Sequence, residues 1–284
     1  MSFSLSIVIP AYDEAARIGG SLDKVLDYLE GQRGRSELIV VDDGSRDRTA
    51  EVSEGIFAAR PSAQVEARVI RVRPNRGKGH AVRTGLLAAR APVALFSDAD
   101  LSSPISEAPK LVEPIRAGQY DVVFGSRALD RKLIGVHQPW LREQSGRAFN
   151  LMVRLLTRLP FWDTQCGFKA FRMDVCRPVV EGARIDRFGF DVELLYVAHR
   201  AGLRMLERPV RWDDVEGSKV SFKTGLDGFR ELRQIRAHAR HGLYDGAVSA
   251  ARATAARVKD RRPVPPEETE LQSDVSPELA GQRI

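Results

Sequence analysis

Five short apolar runs recur early in the chain: "LSIVIP" (Leu5–Pro10), "ELIVV" (Glu37–Val41), "VIRV" (Val69–Val72), "VALFS" (Val93–Ser97) and "DVVFG" (Asp121–Gly125). Each is rich in β-branched residues and breaks off into a polar turn, and the stretches between them carry the wider apolar spacing of a helix. Strand and helix alternating at intervals of about 30 residues predict βαβ units, an α/β fold with a mainly parallel sheet and helices on both faces. Ligands of such sheets gather beyond the carboxyl ends of the strands. The segments that follow the strands, "AYDE" (Ala11–Glu14), "DDGS" (Asp42–Ser45), "NRGKG" (Asn75–Gly79), "DAD" (Asp98–Asp100) and "SR" (Ser126, Arg127), are therefore expected on one rim.

Two later stretches are amphipathic. "FNLMVRLLTRLPFW" (Phe149–Trp162) mixes large apolar residues with Arg154 and Arg158, and "GFRELRQIRAHARHGL" (Gly228–Leu243) sets Phe229, Leu232, Ile235 and Ala239 on one helical face, with Arg230, Arg233 and Arg240 on others. Such a face either packs on the chain's own sheet or lies in a lipid interface with its arginines toward the headgroups. The segment from Pro263 to Ile284 is proline-bearing and acidic and has no aromatic residue, which predicts a disordered tail. The expected organisation is a main domain over 1–225, a basic amphipathic helical extension over 226–262 and the acidic tail over 263–284.

Charge sharpens this division. The net charge of +6 includes −4 from the tail (Glu267, Glu268, Glu270, Asp274 and Glu278 against Arg283), so the body carries +10. A basic body implies an anionic partner: nucleotide, phospholipid or nucleic acid. With 284 residues and 43% hydrophobic content there is ample material for a large core. Cys166 and Cys176 lack zinc-ligand spacing and read as reduced thiols, Cys166 as a small buried residue. No run approaches the ~18 apolar residues of a bilayer span, so a cytoplasmic protein without a transmembrane anchor is expected.

The candidate chemistry starts at Asp98 and Asp100. A carboxylate shut into a core without a partner is costly, so two of them at a strand end should reach solvent or face a cation. A divalent cation, Mg²⁺ or Mn²⁺, would satisfy both. "RGKGHAVRTG" (Arg76–Gly85) fits neither phosphate-loop pattern: the Walker pattern needs Ser or Thr after the Lys, whereas Gly79 and then His80 follow Lys78, and Val82 stands where the dinucleotide pattern needs Gly or Ala. What remains is an anion-friendly helix start carrying Arg76 and Lys78. "DDGS" alone reads equally as a turn and helix cap; the joint order of five such strand ends carries the information.

In that order, "SIVIPAYDE", "LIVVDDGSRDRT", "NRGKGHAVRTG", "FSDADLSSP", "VVFGSR", "DTQCGFKAF" and "FDVELLY" resemble family 2 glycosyltransferases of the GT-A, Rossmann-like fold. The later motifs, with "EGSK" (Glu216–Lys219), resemble the dolichyl-phosphate β-glucosyltransferases and their bacterial polyprenyl-phosphate relatives, over about Ser4 to Arg240. The resemblance implies a metal-dependent, inverting transfer of a hexose, glucose from UDP-glucose first, to a polyprenyl phosphate. Another sugar (mannose or GalNAc), a soluble acceptor, or a non-catalytic basic scaffold for membrane or nucleic acid stay as alternatives; the carboxylates argue against nucleic acid, whose phosphates they would repel. It also implies peripheral association with the inner face of the membrane.

By the same resemblance, Pro10, Ala11, Tyr12 and Glu14 line the uridine and ribose pocket, Asp42 reaches the base, Arg76 and Lys78 border the nucleotide, and Ala99 lies beside it. Asp98 and Asp100 form the metal site, with Asp98 facing ribose or sugar and Asp100 the ion. Ser102 stands where mannosyl-transferring relatives often carry Gln, which favours a glucosyl site. A phosphate monoester is already ionised near pH 7 and needs positive charge rather than a base. Arg127, Arg147 and Lys169 are the candidate phosphate clamp, with Arg142 and Lys219 behind them. Asp191 and Glu193 either position sugar or metal or supply favourable charge at a helix start.

Overall fold

The computed structural model describes residues 3–136, 140–215 and 222–260. The expected strands form as β1 (Phe3–Ala11), β2 (Arg35–Asp42), β3 (Val65–Arg71), β4 (Val93–Ser97) and β5 (Val122–Ser126), with α1 (Ile18–Glu30), α2 (Thr49–Ala59), α3 (Lys78–Ala88) and α4 (Ala108–Arg116) between them. After β5 come a short β6 (Ile134–Val136), α5 (Trp140–Thr157), β7 (Phe168–Arg172), α6 (Met173–Gly182), α7 (Phe190–Arg200), β8 (Met205–Pro209), β9 (Trp212–Asp213), α8 (Phe222–Arg240) and α9 (Asp245–Asp260). The main sheet runs β3-β2-β1-β4-β7-β5-β8, and β6 pairs with β9 in a small second sheet.

All neighbours in the main sheet are parallel except β7, which lies antiparallel between β4 and β5 and sets Lys169 opposite both Phe96 and Phe124. Successive strand residues point to opposite faces. Val8, Ile39, Val41, Phe96, Phe124 and Phe171 accordingly join α3, α6 and α7 on one face, while Ile7, Ile9, Leu38, Val40, Leu95 and Phe168 join α1 and α4 on the other.

The helical pair after β9 belongs to this core. Leu232, Ile235, Tyr244 and Ala251 are fully buried in the same cluster as the α6 and α7 residues. The apolar face of α8 offered to a lipid interface is thus largely consumed by the fold, because the helical layer it packs on, α5 included, supplies an equally apolar partner. Phe229 alone among the four named residues of that face keeps a large exposed surface, at 38%. "EGSK" and the acidic tail lie outside the described residues.

Candidate active site

β4 ends in a tight turn. The Leu101 N–H donates to the Asp98 carbonyl (3.1 Å) and the Ser102 N–H to Asp100 Oδ1 (3.0 Å). Leu101 sits at φ +50°, a left-handed conformation that bulky residues adopt only when the surroundings dictate it. Asp98 lies flush against Gly167 at the foot of β7: a Cβ there would fall 2.1 Å from Asp98 Oδ2. Glycine is therefore what lets the carboxylate occupy this place.

Two cations flank the pair. Lys78 Nζ stands 2.5 Å from Asp98 Oδ1 and 6.0 Å from the centre of the Phe190 ring. Burial would lower the lysine's pKa, but the charges of Asp98, Asp191 and Asp100 outweigh it and hold it above the ordinary value. Arg17, on the other side, grips Glu14 through Nε and Nη2; that hydrogen bond, and then the charges of Glu14, Asp100 and Asp98, raise its pKa against the effect of burial. Among the described residues no ion pair reaches Asp100, and no group of three His, Cys, Asp or Glu side chains could enclose a metal. Two hard carboxylates without a third protein ligand fit Mg²⁺ or Mn²⁺ that draws its other oxygens from a diphosphate and water, as Mg²⁺ usually does.

Beyond the ends of β1, β2 and β3 opens a cavity of about 690 Å³ lined by Tyr12, Gly44, Ser45, Arg46, Asp47, Arg73, Pro74 and Asn75. Its wall is held by Asp43, which accepts from Asn75 Nδ2 (2.9 Å), the Arg76 N–H (3.1 Å) and the Gly77 N–H (2.6 Å). Gly77 itself takes φ +117°, and a Cβ there would meet the Asp186 carbonyl at 2.5 Å. Asp186 in turn pairs with Arg76 (2.8 Å) and Arg83 (2.6 Å).

Several residues expected on the nucleotide side have partners within the chain. Asp42 is 1% exposed, and its Oδ1 accepts the Ser45 N–H (3.1 Å), which braces the "DDGS" turn. Glu14 is turned to Arg17 and does not line the cavity. Pro10, Ala11 and Ala99 are buried and offer backbone rather than side chains. Tyr12 stands in the cavity wall, and Arg76 is half exposed beside it.

The second half of the site is built from ion pairs. Arg127 binds Asp163 through Nε (2.7 Å) and Nη2 (2.9 Å), and its carbon Cζ lies 5.6 Å from the Trp212 ring centre. Burial opposes the charge on Arg127, but Asp163 more than restores it, and the same pairing holds Asp163 down at about 2 in spite of its own burial. Lys169 does not reach the rim. It is 0% exposed, donates to the Cys166 carbonyl (2.6 Å) and Asp191 Oδ1 (2.5 Å), and its ammonium lies 5.3 Å from the Phe96 ring centre. An acceptor phosphate cannot touch it there, so it is a buried counter-ion rather than part of a clamp. Burial raises the pKa of Asp191 even though Lys169 and Lys78 oppose the shift.

Glu193 is likewise structural. Fully buried, it accepts from the Arg184 and Ile185 N–H groups (2.9 Å each) and from the Tyr244 hydroxyl (2.6 Å). Arg147 falls on α5, but its side chain and that of Arg142 lie outside the described atoms, as does all of Lys219. Cys166 is buried, with its thiol pushed up to about 11 by burial, as suits an inert core residue. Arg17, Asp43, Asp163 and Asp186 were missed by sequence reasoning. The Glu14/Arg17 spacing of three is a legible helix-start pair, whereas the partners of the other three lie 32 to 110 residues away along the chain.

Residues 6–179 match the model described as "Glycosyl transferase family 2". The chain belongs to that family. Among the curated relatives of this glycosyltransferase, the dolichyl-phosphate beta-glucosyltransferase of Drosophila melanogaster is 36% identical over 82% of this chain and 74% of its own length. The human protein of the same name is 35% identical over the same shares, and that of Dictyostelium discoideum 31% identical over 82% and 73%. The fold is that of solved GT-A glycosyltransferases. Glucosyl-3-phosphoglycerate synthase from Mycobacterium tuberculosis, crystallised with uridine diphosphate, superposes with a TM-score of 0.59 over 83% of this chain and 80% of that one, at 21% identity. The same enzyme was also crystallised with Mn²⁺, UDP-glucose and phosphoglyceric acid.

Proposed function

We propose that this family 2 glycosyltransferase transfers glucose from UDP-glucose, with inversion, to the phosphate of a polyprenyl lipid of the dolichyl type. The observation that carries the reading is the placement of Asp98 and Asp100 after β4 and of Arg127 after β5 at the same edge of the sheet as a cavity of about 690 Å³, beyond β1, β2 and β3, that suits a nucleoside. The names of the relatives, at 31–36% identity, support glucose as the sugar and dolichyl phosphate as the acceptor.

In this reading Tyr12 and Asn75 border the nucleoside, and Arg76 and the backbone of the α3 start accept the diphosphate. Asp100, with Asp98, would hold Mg²⁺ or Mn²⁺, which when bound supplies positive charge to the departing diphosphate. Lys78, paired with Asp98 at 2.5 Å, holds that carboxylate in place. Arg127 neutralises one oxygen of the acceptor phosphate and orients another toward the anomeric carbon; the new C–O bond forms as the bond to UDP breaks, and the electron pair leaves with UDP. No protein base is required, because the nucleophile arrives ionised.

The lipid would be met at α5. Leu151, Leu155 and Trp162 are 57%, 71% and 55% exposed, and Arg154 stacks over Trp162 at 4.1 Å. We place this patch against anionic headgroups at the inner, cytoplasmic face, as a peripheral contact. Among the described residues no helix is long and apolar enough to cross a membrane.

The test is steady-state transfer from labelled UDP-glucose to polyprenyl phosphate, polyprenol and simple glucosides. Polyprenyl phosphate should be the acceptor, and Arg127→Ala should lower its specificity constant about thirtyfold while leaving UDP binding intact. A better rate with polyprenol or a soluble sugar would overturn the lipid-phosphate assignment.

A further inference from the structure

Every hydrogen bond that Arg127 makes to a described residue goes to one partner. Its backbone N–H (3.0 Å), Nε (2.7 Å) and Nη2 (2.9 Å) all donate to the Asp163 carboxylate. The two ends of this pair differ in depth. The Asp163 side chain is 1% exposed and that of Arg127 29%, so the acid sits beneath and the free edge of the guanidinium is at the surface. Asp163 is itself anchored: its N–H donates to Glu207 Oε1 (2.8 Å), the neighbouring Trp162 N–H to Glu207 Oε2 (2.9 Å), and Asp163 Oδ1 also accepts the Gln165 N–H (3.1 Å). Arg127 follows β5, and Asp98 follows β4, at the same edge of the sheet.

We propose that Asp163 is the positioning residue of the acceptor subsite, locking the Arg127 guanidinium in one plane so that its remaining N–H donors meet the nucleophilic phosphate beside Asp98. The inference rests on the reading of Arg127 as the phosphate contact. A fork held along Nε and Nη2 leaves Nη1 as the outer donor, and a planar cation fixed in advance loses little freedom when the phosphate arrives. Glu207, on β8, carries the restraint into the sheet. Asp163 touches no substrate; it acts through Arg127, in the way that outer partners orient metal ligands.

A four-variant cycle decides: wild type, Asp163→Asn, Arg127→Gln and the double variant, each assayed for the KM of polyprenyl phosphate, the KM of UDP-glucose and the melting temperature. Asp163→Asn should raise the acceptor KM about tenfold, leave the donor KM within about twofold, and add nothing in the Arg127→Gln background. Asp163→Glu should recover part of the loss. If Asp163→Asn fails to fold, the double variant, which buries no unpaired charge, is compared with Arg127→Gln alone: equal acceptor KM supports the proposal and a further rise overturns it. Additive effects, or normal acceptor kinetics in Asp163→Asn while Arg127→Gln is impaired, overturn the positioning role and leave the proposed function standing. Normal acceptor kinetics in Arg127→Gln overturn both.

Discussion

The two halves of the site handle charge differently. At the rim after β4, Asp98 and Asp100 stand partly exposed, Asp98 paired with Lys78, and Asp100 has no ion pair among the described residues. Around β7, each charge already has its counter-ion: Lys169 with Asp191, Arg127 with Asp163. The first arrangement is incomplete by itself and gains from an incoming cation and diphosphate. The second is finished before any substrate arrives, so its value lies in geometry held fixed.

If that contrast is right, substitutions around β7 should strike stability and those at the rim should strike turnover. The largest effect is expected from Lys169→Met, which leaves Asp191 buried without its hydrogen-bonded counter-ion; removing one partner of such a pair costs roughly 3–5 kcal/mol. Denaturant unfolding should show it, and Lys169→Met with Asp191→Leu should recover much of the loss. A lone Lys169→Met with unchanged stability would break the comparison.

Asp100→Asn should fold normally and lose about a hundredfold in kcat/KM, about 3 kcal/mol of transition-state stabilisation, with the apparent Mn²⁺ requirement shifted upward. Turnover by this variant that is unaffected by chelator would remove the metal from the rim. Gly167→Ala probes the seam between the halves. Its Cβ claims the space of Asp98 Oδ2, so the carboxylate must move, and a tenfold or larger fall in kcat is expected with little change in melting temperature, since a displacement of about 1 Å at a reacting site can cost that much. A normal kcat would show that the position of Asp98 is not critical.

The smallest effect is a pH signature that separates the two buried pairs. The pKa of Asp163 falls on folding, so its contribution, about 2 kcal/mol, is present above the unfolded value near 4 and is lost as pH drops through about 2. Asp191 is shifted the opposite way by burial, so its contribution is largest at low pH and declines as pH rises past the unfolded carboxylate value. Melting temperature should therefore climb between about pH 2 and 4 in the wild type, and the climb should be reduced in Asp163→Asn.

Much of the rim was legible in the sequence because a parallel sheet delivers consecutive strand ends to one side, and the residues after β1, β2, β4 and β5 fall where that rule puts them. β7 was not legible as a strand. Phe168, Lys169, Ala170 and Phe171 are all fully buried, so "FKAF" shows no alternation, and a lysine in its middle signals a surface. Asp191, 22 residues on, and the Cys166 carbonyl make its burial tolerable. Burial of Asp42 was equally hidden, since a turn-bracing Asp and a ligand-facing one look alike in "DDGS". In α8 the pattern fixed an apolar face but not its occupant, and the core took it.

The Tyr244 clasp on Glu193 bears on how this enzyme can be cut and joined. A boundary drawn near 225, where the sequence suggests an appendage begins, would strip away the hydroxyl that the buried carboxylate accepts, the Glu231 oxygen that receives the Gly189 N–H (2.7 Å), and the cover over the α6 and α7 surfaces. Minimal expression fragments, chimaeras and split-reporter fusions should accordingly run at least through Ala251, with tags placed beyond α9, where added sequence meets none of these partners.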